Sequence, residues 1–267
     1  MSLNTGGYRT KNISSSKEDG KPVVSIITVV YNSEKLIEKT INNIISQTYK
    51  NIEYIIIDGA SKDKTLDIIR KYEKQIAYWI SEPDNGLYDA MNKGLNSATG
   101  DYVWFINSGD LIFDKDTLKN VFENEKSFAD IYYGETMNVD DNYKKIGLRR
   151  LKAPENLTWK SFRNGMMVCH QSIIINRKIT DNYDLQYKRS ADYDWVLKAL
   201  RKTDKIKNTK QILSRYMEGG VSRKTIPGSL KERFNIMTGN YGLLPTILTH
   251  VLISIKFFWY WARKGRF

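Results

Sequence analysis

Up to about residue 106, continuous apolar runs alternate with segments in which apolar side chains recur every three or four positions. The runs are rich in β-branched and aromatic residues, as in strands buried on both faces, and occupy residues 23–30, 54–57, 77–80 and 102–106. The intervening segments have the spacing of amphipathic helices and occupy residues 36–45, 65–75 and 87–97. This alternation predicts an α/β fold with a parallel sheet between two layers of helices.

The second half of the chain has a less regular pattern. Short apolar runs predict strands at residues 130–134, 172–176 and 212–216. Helical spacing is found at residues 158–163 and 192–202, and no internal repeat is present. The pattern therefore specifies the first half of the fold more closely than the second.

The two ends of the chain differ in character. Residues 1–21 are polar and aperiodic, which predicts a disordered lead-in. Residues 243–262 are mostly apolar, but Lys256 would be costly in hydrocarbon, and a spanning helix needs about 20 clean apolar residues. The aromatic residues 257–261 and the basic residues after them favour an amphipathic helix on a membrane surface. Packing on the body of the protein or on a second subunit in a homodimer is the alternative, and a true span is the third.

Composition limits the class of protein. The chain has 267 residues, of which 41% are hydrophobic, enough for a core and too many for a disordered protein. A single cysteine, Cys169, excludes a disulfide framework, and with only two histidines a zinc-finger cluster is excluded too. Lys and Arg number 42 against 30 Asp and Glu, a net charge of +12, which indicates an anionic partner. The cations are spread out and no nucleic-acid motif is present, so we expect no nucleic acid.

Polar side chains follow three of the predicted strands, at residues 28–32, 58–63 and 107–110. In open α/β sheets, ligands bind at the carboxyl ends of the strands, so these clusters are expected to share one crevice. Helix capping or turn formation also explains such residues, and for Asp63, just before a helix, it is the better explanation. Asp58 and Asp110 close apolar strands, and for them we favour a functional role.

The phosphate-binding loops of the common nucleotide folds are missing. The sequence has neither G-x-G-x-x-G after the first strand nor G-x-x-x-x-G-K-[ST], which disfavours dinucleotide and P-loop chemistry. A nucleotide held by carboxylates, amides and a bridging Mg²⁺ or Mn²⁺ remains compatible with oxygen ligands such as Asp110.

Five motifs, in order and spacing, resemble the family 2 glycosyltransferases, over about residues 22–222. They are VSIITVVYN (24–32), IIIDGASKDKT (55–65), DNGLYDAMNKG (84–94), WFINSGDL (104–111) and SADYDW (190–195). The resemblance implies the glycosyltransferase-A fold, a Rossmann-like, mixed, mostly parallel sheet flanked by helices. It also implies inverting transfer of a sugar from a nucleotide-sugar, expected to be a UDP-sugar, to an acceptor hydroxyl. The pattern is most similar to bacterial enzymes that build capsule, O-antigen and colanic-acid-like repeat units.

The resemblance implies roles for individual residues. Those expected to bind the donor nucleotide-sugar are Thr28, Tyr31, Asn32, Asp58, Ser61, Asp89, Lys93, Asn107 and Ser108. Asp110 is expected to ligate Mn²⁺ or Mg²⁺, and Asp192 to act as the general base, although an N-cap explains Asp192 as well. His170 and Gln171 would line the acceptor side, where His170 is as readily a structural side chain, and Arg223 lies in a loop expected to close.

Two departures from the family pattern matter. Asn107 and Gly109 replace both acids of the Asp-x-Asp metal motif, so Asp110 is the acid left. The Gln-x-x-Arg-Trp of processive members is also absent, because Gln211 and Arg215 have the wrong spacing and Tyr216 replaces Trp, which predicts one sugar per encounter. A catalytically degenerate sugar-nucleotide-binding relative stays open as an alternative. A nucleotidyltransferase is the other alternative, although its basic, glycine-rich loop is missing.

The same resemblance divides the chain into a nucleotide-sugar-binding half (22–120), an acceptor-binding half (121–225) and a C-terminal helical segment (226–267). A polyprenyl-linked saccharide is the expected acceptor. Such an acceptor, together with the basic, aromatic tail, would keep the protein on the cytoplasmic side, peripheral to the inner face of the cell membrane.

Overall fold

The computed structural model of the chain describes residues 4–13, 18–123, 125–218 and 226–264. The strands are β1 (Asn4–Gly6), β2 (Val24–Val30), β3 (Ile52–Asp58), β4 (Tyr78–Ser81), β5 (Tyr102–Phe105), β6 (Leu111–Ile112), β7 (Ile131–Val139), β8 (Lys145–Leu148), β9 (Ile173–Asn176) and β10 (Ile206–Met217). The α-helices are α1 (Ile37–Ile45), α2 (Thr65–Lys71), α3 (Leu87–Ser97), α4 (Thr117–Phe122), α5 (Ala191–Leu200), α6 (Ile226–Tyr241) and α7 (Leu243–Lys264). Single 3-10 turns occupy Tyr8–Lys11, Trp159–Asn164, His170–Ser172 and Arg177–Ile179.

All ten strands belong to one mixed sheet, in the order β1-β4-β3-β2-β5-β9-β7-β10-β6, with β8 on the edge of β7. Strands β4, β3, β2 and β5 run parallel, as do β7 and β10. Strand β9 joins these two parallel blocks through antiparallel pairing with both β5 and β7. The predicted mixed, mostly parallel sheet flanked by helices is therefore confirmed.

The core has two layers, one on each face of the sheet. Ile27 and Val29 of β2 pack in the layer that contains α3, α5 and part of α6. Ile26 and Val30 pack in the layer that contains α1, α2 and α4. Gly94 lets α3 approach β2 closely, because a Cβ there would lie 2.5 Å from Cγ2 of Ile27. Burial on both faces explains why β2 reads as a continuous apolar run.

The first half follows the predicted order of strands and helices. Helix α1 begins at Ile37, and the residues between it and β2 form a loop. Asn32 has a positive φ of 46°, and its side-chain Oδ1 accepts a hydrogen bond from the amide of Lys62 at 2.8 Å. Ser33 Oγ pairs with Ser108 Oγ at 2.7 Å. Both side chains thus bind neighbouring loops at the strand ends.

The prediction that residues 1–21 form a disordered lead-in is wrong for residues 4–11, which are ordered. Strand β1 pairs antiparallel with β4 at the edge of the sheet, and a 3-10 turn follows it. Arg9 Nη1 then donates to Glu53 Oε1 at 2.9 Å and to the carbonyl oxygen of Ser97 at 2.8 Å. Backbone pairing orders this polar segment, and such pairing leaves no hydrophobic pattern in the sequence.

The predicted C-terminal helical segment is present as α6 and α7, which pack on each other. Thr246 and Thr249 of α7 are buried, whereas large aliphatic side chains on the same helix are exposed. The exposed residues include Leu244, Leu248, Val251 and Ile255, at helical spacing. In the described part of the chain, no helix combines the length and apolar content that crossing a bilayer requires.

Glu53 at the start of β3 links β2, α3 and the N-terminal turn. Its carboxylate accepts hydrogen bonds from Ser25 Oγ at 2.6 Å, from the amide and hydroxyl of Thr99 at 2.8 and 2.6 Å, and from Arg9. Burial by itself would raise the pKa of Glu53, but these hydrogen bonds and the Arg9 charge lower it overall. The carboxylate is therefore a structural anchor for the amino-terminal edge of the sheet.

We expect Glu53→Gln to lower the free energy of unfolding by about 3 kcal/mol, because buried donors lose a charged acceptor. For a chain of this size, the loss corresponds to a fall in Tm of roughly 6–10 °C, measurable by calorimetry. Glu73→Gln is the matched control, since Glu73 makes a half-exposed pair with Lys11 at 3.5 Å. Equal Tm values for Glu53→Gln and the wild type would contradict the anchoring role.

Candidate functional site

A cavity of about 810 Å³ opens at the carboxyl ends of β2 and β5 and is closed from the other side by the second half of the chain. Several residues singled out from the sequence line it: Tyr31, Asn107, Ser108, Asp110, His170, Gln171 and Asp192. Asp110 follows β5, whereas Asp192 lies in the first turn of α5. The structure thus brings two carboxylates from distant parts of the sequence to one cavity.

Asp110 is buried, and the second half of the chain holds both of its carboxylate oxygens. The Gln171 side-chain amide donates to Oδ2 at 3.0 Å, and the amide of Met217, at the end of β10, donates to Oδ1 at 3.1 Å. Burial raises the pKa of Asp110 to about 7, although the two hydrogen bonds act in the opposite direction. Gln171 itself accepts a hydrogen bond from Cys169 Sγ at 3.0 Å. Gln171 thus positions Asp110, a role that its sequence context did not indicate.

Asn107 supplies a second oxygen beside Asp110. Its Oδ1 atom is buried and has no hydrogen-bond partner among the described residues, which is a costly state for a polar atom. The described residues contain no group of three or more His, Cys, Asp and Glu that could hold a metal ion by themselves. An amide oxygen and a carboxylate fit a hard divalent cation whose other ligands come from a bound phosphate and water.

Asp192 faces the same cavity from α5 and is half-buried. Its Oδ1 accepts hydrogen bonds from the Tyr88 hydroxyl at 3.1 Å and from the amide of Tyr193 at 2.9 Å. Oδ2 accepts no hydrogen bond from any described residue, which leaves an oxygen for a ligand. The residue that precedes the helix, Ser190, makes no side-chain cap, and the acidic residues in the first turn are Asp192 and Asp194.

His170 also lines the cavity and belongs to a buried aromatic cluster. Its Nε2 pairs with the Tyr183 hydroxyl at 2.7 Å, and its ring packs against Phe105 and Trp195. Burial lowers the pKa of His170 to about 4, although Asp192 acts in the opposite direction. The ring is therefore neutral near pH 7 and forms part of the buried wall of the cavity.

Thr28 is the clearest correction among the expected donor-binding residues. It is fully buried, on the face of β2 shared by Ile26 and Val30. Its hydroxyl donates to the carbonyl oxygen of Ile106 at 2.7 Å and accepts from the Tyr54 hydroxyl at 3.2 Å. Thr28 is thus a strand-to-strand link in the core and has no surface left for a nucleotide.

Asp58 and Ser61 lie beside the cavity, at the end of β3, but do not line it. The Asp58 carboxylate is buried and accepts from the hydroxyls of Ser61 and Ser81 at 2.5 and 2.6 Å. Ser61 Oγ in turn accepts from the amide of Asn32 at 2.8 Å. Because Asp58 pairs with Val30 across the sheet, this network fixes the loop that carries Tyr31. Tyr31 itself is exposed and reaches the cavity.

Asp89 and Lys93 of α3 interact with their own surroundings and are absent from the cavity lining. Lys93 Nζ pairs with Glu82 Oε1 at 2.8 Å and donates to the carbonyl oxygen of Pro83 at 2.7 Å. Asp89 Oδ2 lies 3.8 Å from Lys93 Nζ and accepts from the amide of Asn85 at 2.9 Å. These contacts hold the turn before α3. Arg223, expected in a closing loop, lies outside the described residues.

The basic residues that line the cavity were not predicted from the sequence. Among the described residues they are Arg149, Lys188, Arg189 and Arg233. They come from three separate segments and belong to none of the five motifs, so no local signal distinguishes them from the other basic residues.

Known proteins with similar sequences are described as glycosyltransferases. Residues 25–183, more than half of the chain, match the family model described as Glycosyl transferase family 2. An uncharacterized glycosyltransferase of Mycobacterium tuberculosis is 32% identical over 185 residues, 67% of this chain and 69% of its own length. A PGL/p-HBAD biosynthesis glycosyltransferase of Mycobacterium bovis is 28% identical over 81% of this chain and 86% of its own length. A putative teichuronic acid biosynthesis glycosyltransferase of Bacillus subtilis, TuaG, is 33% identical over 60% of this chain and 64% of its own length.

Solved structures share the fold at low sequence identity. Residues 1–349 of S. aureus TarS, in complex with UDP-GlcNAc, align with a TM-score of 0.62 and 21% identity, over 80% of this chain and 64% of that chain. A Pyrobaculum calidifontis mannosyltransferase, in complex with GDP-Man and Mn²⁺, aligns with a TM-score of 0.55 and 16% identity, over 93% of this chain and 81% of that chain. At this identity the likeness shows the fold alone.

The neutral state of His170 gives a pH dependence of stability. Because its folded pKa of about 4 lies below the ordinary 6.5, its contribution to stability is complete above pH 6.5 and is lost as the pH falls towards 4. We expect the loss in the free energy of unfolding between about pH 7 and about pH 4.5 to be about 2 kcal/mol larger for the wild type than for His170→Gln. Urea unfolding of both proteins at both pH values measures this difference. Equal pH dependence of the wild type and His170→Gln would contradict a lowered pKa of His170 in the folded protein.

Proposed function

The chain belongs to glycosyl transferase family 2 and has the glycosyltransferase-A fold, and on that premise we propose that it moves one sugar from a UDP-sugar to a hydroxyl of a lipid-linked saccharide. The single observation that carries the proposal is the cavity that Asp110 and Asp192 share. The names of two relatives refer to PGL/p-HBAD and teichuronic acid biosynthesis, which supports a role in cell-surface glycan synthesis. The UDP-GlcNAc complex of a structural neighbour supports a nucleotide-sugar donor.

On the donor side, Asn107 and Asp110 would hold a Mn²⁺ or Mg²⁺ ion. When bound, such an ion supplies positive charge to a diphosphate leaving group. Asn107 brings its unpaired Oδ1, while Gln171 and Met217 fix the carboxylate of Asp110. The Mn²⁺ in one structural neighbour supports this metal class.

On the acceptor side, Asp192 would take the proton of the attacking hydroxyl. Tyr88 and the amide of Tyr193 hold Oδ1, so the carboxylate is oriented, and Oδ2 accepts no hydrogen bond from the described residues. His170 contributes a buried, neutral ring to the wall of the cavity. A single displacement at the anomeric carbon inverts its configuration, because the acceptor attacks opposite the leaving diphosphate.

A catalytically degenerate sugar-nucleotide-binding protein is the second candidate. The replacement of both acids of the Asp-x-Asp motif by Asn107 and Gly109 favours it. The oriented carboxylate of Asp192 favours an enzyme, because sugar-nucleotide binding alone does not require a base in the cavity. Release of UDP from UDP-sugars, with and without Mn²⁺, separates the two.

We expect Asp192→Asn to reduce sugar transfer about a thousandfold and to leave the Kd for UDP within about twofold, because the carboxamide cannot accept the proton. The measurement is acceptor-dependent UDP release, using the UDP-sugar that raises Tm most and a polyprenyl-diphosphate-linked saccharide. Titration calorimetry gives the Kd.

Asp194→Asn is the matched control for that change. Asp194 lies on the same helix but is buried and pairs with Lys198 at 2.6 Å. Its variant should retain transfer per mole of protein that binds UDP. Wild-type activity in Asp192→Asn would remove the assignment of the base, and no UDP binding by the wild type would remove the proposed function.

The lipid-linked acceptor agrees with the exposed aliphatic side chains of α7. Leu244 is 74% exposed and Leu248 64%, while Thr246 between them is fully buried against the body of the protein. One face of α7 is therefore packed and another faces outward with large apolar groups. We propose that this outward face rests on the cytoplasmic surface of an anionic membrane.

We expect the double variant Leu244→Ser, Leu248→Ser to bind anionic phosphatidylglycerol vesicles at least about tenfold more weakly than the wild type. The reason is that each substitution removes more than about 1 kcal/mol of binding free energy from apolar burial. Vesicle co-sedimentation measures it. Ile146→Ser with Leu148→Ser is the control, since both residues are similarly exposed on β8. Unchanged binding of the α7 variant would favour a protein partner, such as a second copy of the chain.

A further inference from the structure

A cluster of cations lies at the rim of the cavity on the side of Asp192. Lys188 and Arg189 come shortly before α5, and Arg233 comes from the second turn of α6. Leu230, one turn before Arg233, lines the cavity with them and is 54% exposed. We call these four residues the α6 rim. Arg149, the remaining cavity cation, donates to the carbonyl oxygen of Met166 at 2.7 Å and is not part of it.

Backbone contacts fix the α6 rim. Glu232 on α6 accepts from the amides of Lys188 at 3.0 Å and of Arg189 at 2.8 Å. Ser190 Oγ pairs with Ser229 Oγ at 3.0 Å. The carboxylate nearest to this segment thus holds its main chain, and α6 and the start of α5 act as one unit.

The rim cations lack an anionic partner within the described chain. None of the ion pairs found among the described residues involves Lys188, Arg189 or Arg233. Nε of Arg233 is buried and has no hydrogen-bond partner in the described part of the protein. Basic side chains that form no ion pair at a cavity mouth attract anions, and guanidinium groups suit phosphate oxygens.

An apolar surface adjoins these cations. Leu230 belongs to the rim itself, and α7 packs on α6 directly behind it, with the His250 ring 5.2 Å from that of Phe234. The outward face of α7 carries the exposed leucines described above. A ligand with a phosphate next to an apolar chain matches this combination of surfaces.

We propose that the α6 rim binds a phosphate or diphosphate carried by the acceptor, between its lipid chain and the sugar that receives the new residue. The inference rests on the proposed function and adds the anion subsite and its residues. The diphosphate of the donor is the other source of the same chemistry. The acceptor is favoured because the rim is joined through main-chain contacts to the start of α5, which carries Asp192, whereas Asn107 and Asp110 follow β5.

Three binding measurements on the full chain distinguish the sources. The first uses phosphatidylcholine vesicles that contain undecaprenyl diphosphate, and the second uses phosphatidylcholine vesicles in which phosphatidylglycerol supplies the same charge. The third is calorimetric titration with UDP and Mn²⁺. For Arg189→Gln with Arg233→Gln, we expect about tenfold weaker binding in the first measurement and changes of less than about twofold in the other two.

Lys126→Gln with Lys178→Gln is the control for net charge, because the two substitutions remove the same charge as the rim variant. Both lysines are exposed and lie outside the cavity lining. Lys188→Gln is a second rim variant, which changes an exposed side chain and leaves the half-buried Arg233 intact. It should also weaken binding to the vesicles that contain undecaprenyl diphosphate.

Each other result overturns the inference. Equal losses on both kinds of vesicle would show a nonspecific membrane contact, and a loss of UDP affinity would assign the rim to the donor. Unchanged binding of folded variants in all three measurements would show that no anion subsite exists. If the wild type binds UDP but the rim variants bind undecaprenyl diphosphate vesicles as the wild type does, only the inference about the α6 rim is overturned. If the wild type does not bind UDP, the proposed function fails.

Discussion

The buried carboxylate of Asp110 ties together the two halves of this fold. It follows β5 of the first parallel block, but its hydrogen-bond donors come from the segment before β9 and from the end of β10. A buried carboxylate without donors would be expensive, so the second half must dock in one arrangement for the first half to keep this group in place. The hydroxyls of Thr136, Ser172 and Ser214, linked at 2.7 Å, join β7 and β10 to the 3-10 turn before β9. The shape of the cavity therefore follows from polar contacts across the sheet as well as from apolar packing.

Two buried carboxylates in the same sheet show how donors determine charge. Glu53 accepts hydrogen bonds from Ser25 and Thr99 and pairs with Arg9, and its pKa is lowered. Asp110 has two neutral donors and no cation, and burial raises its pKa to about 7. Glu53 is a satisfied structural group at the amino-terminal edge of the strands. Asp110 is an incompletely satisfied group at the carboxyl edge, where a positively charged ligand would lower its free energy.

The sequence pattern predicted what depends on local apolar periodicity and motif spacing. The strands and helices of the first half belong to this category, whereas a site shared by Asp110 and Asp192 was expected only from the family resemblance. The inward orientation of Thr28 was not predictable, because a strand buried on both faces has no alternation to show where a side chain points. Strand β1 and the pairing of Lys93 with Glu82 depend on tertiary neighbours. The α6 rim is assembled from segments more than 40 residues apart in sequence, and its members look like any other surface cations until α6 packs beside α5.

Sugar transfer from a diphosphate donor to a diphosphate-bearing acceptor poses an electrostatic problem, because the two anions repel each other in a partly desolvated cavity. One shared positive site would hold either substrate but would not reduce their mutual repulsion at the moment of reaction. Two separate positive sites would reduce this repulsion. A divalent cation held by Asn107 and Asp110 would serve the donor, and the guanidinium and ammonium groups of the α6 rim would serve the acceptor. On this view the net charge of +12 has a local function at the α6 rim, where basic side chains have no acidic partner in the described chain.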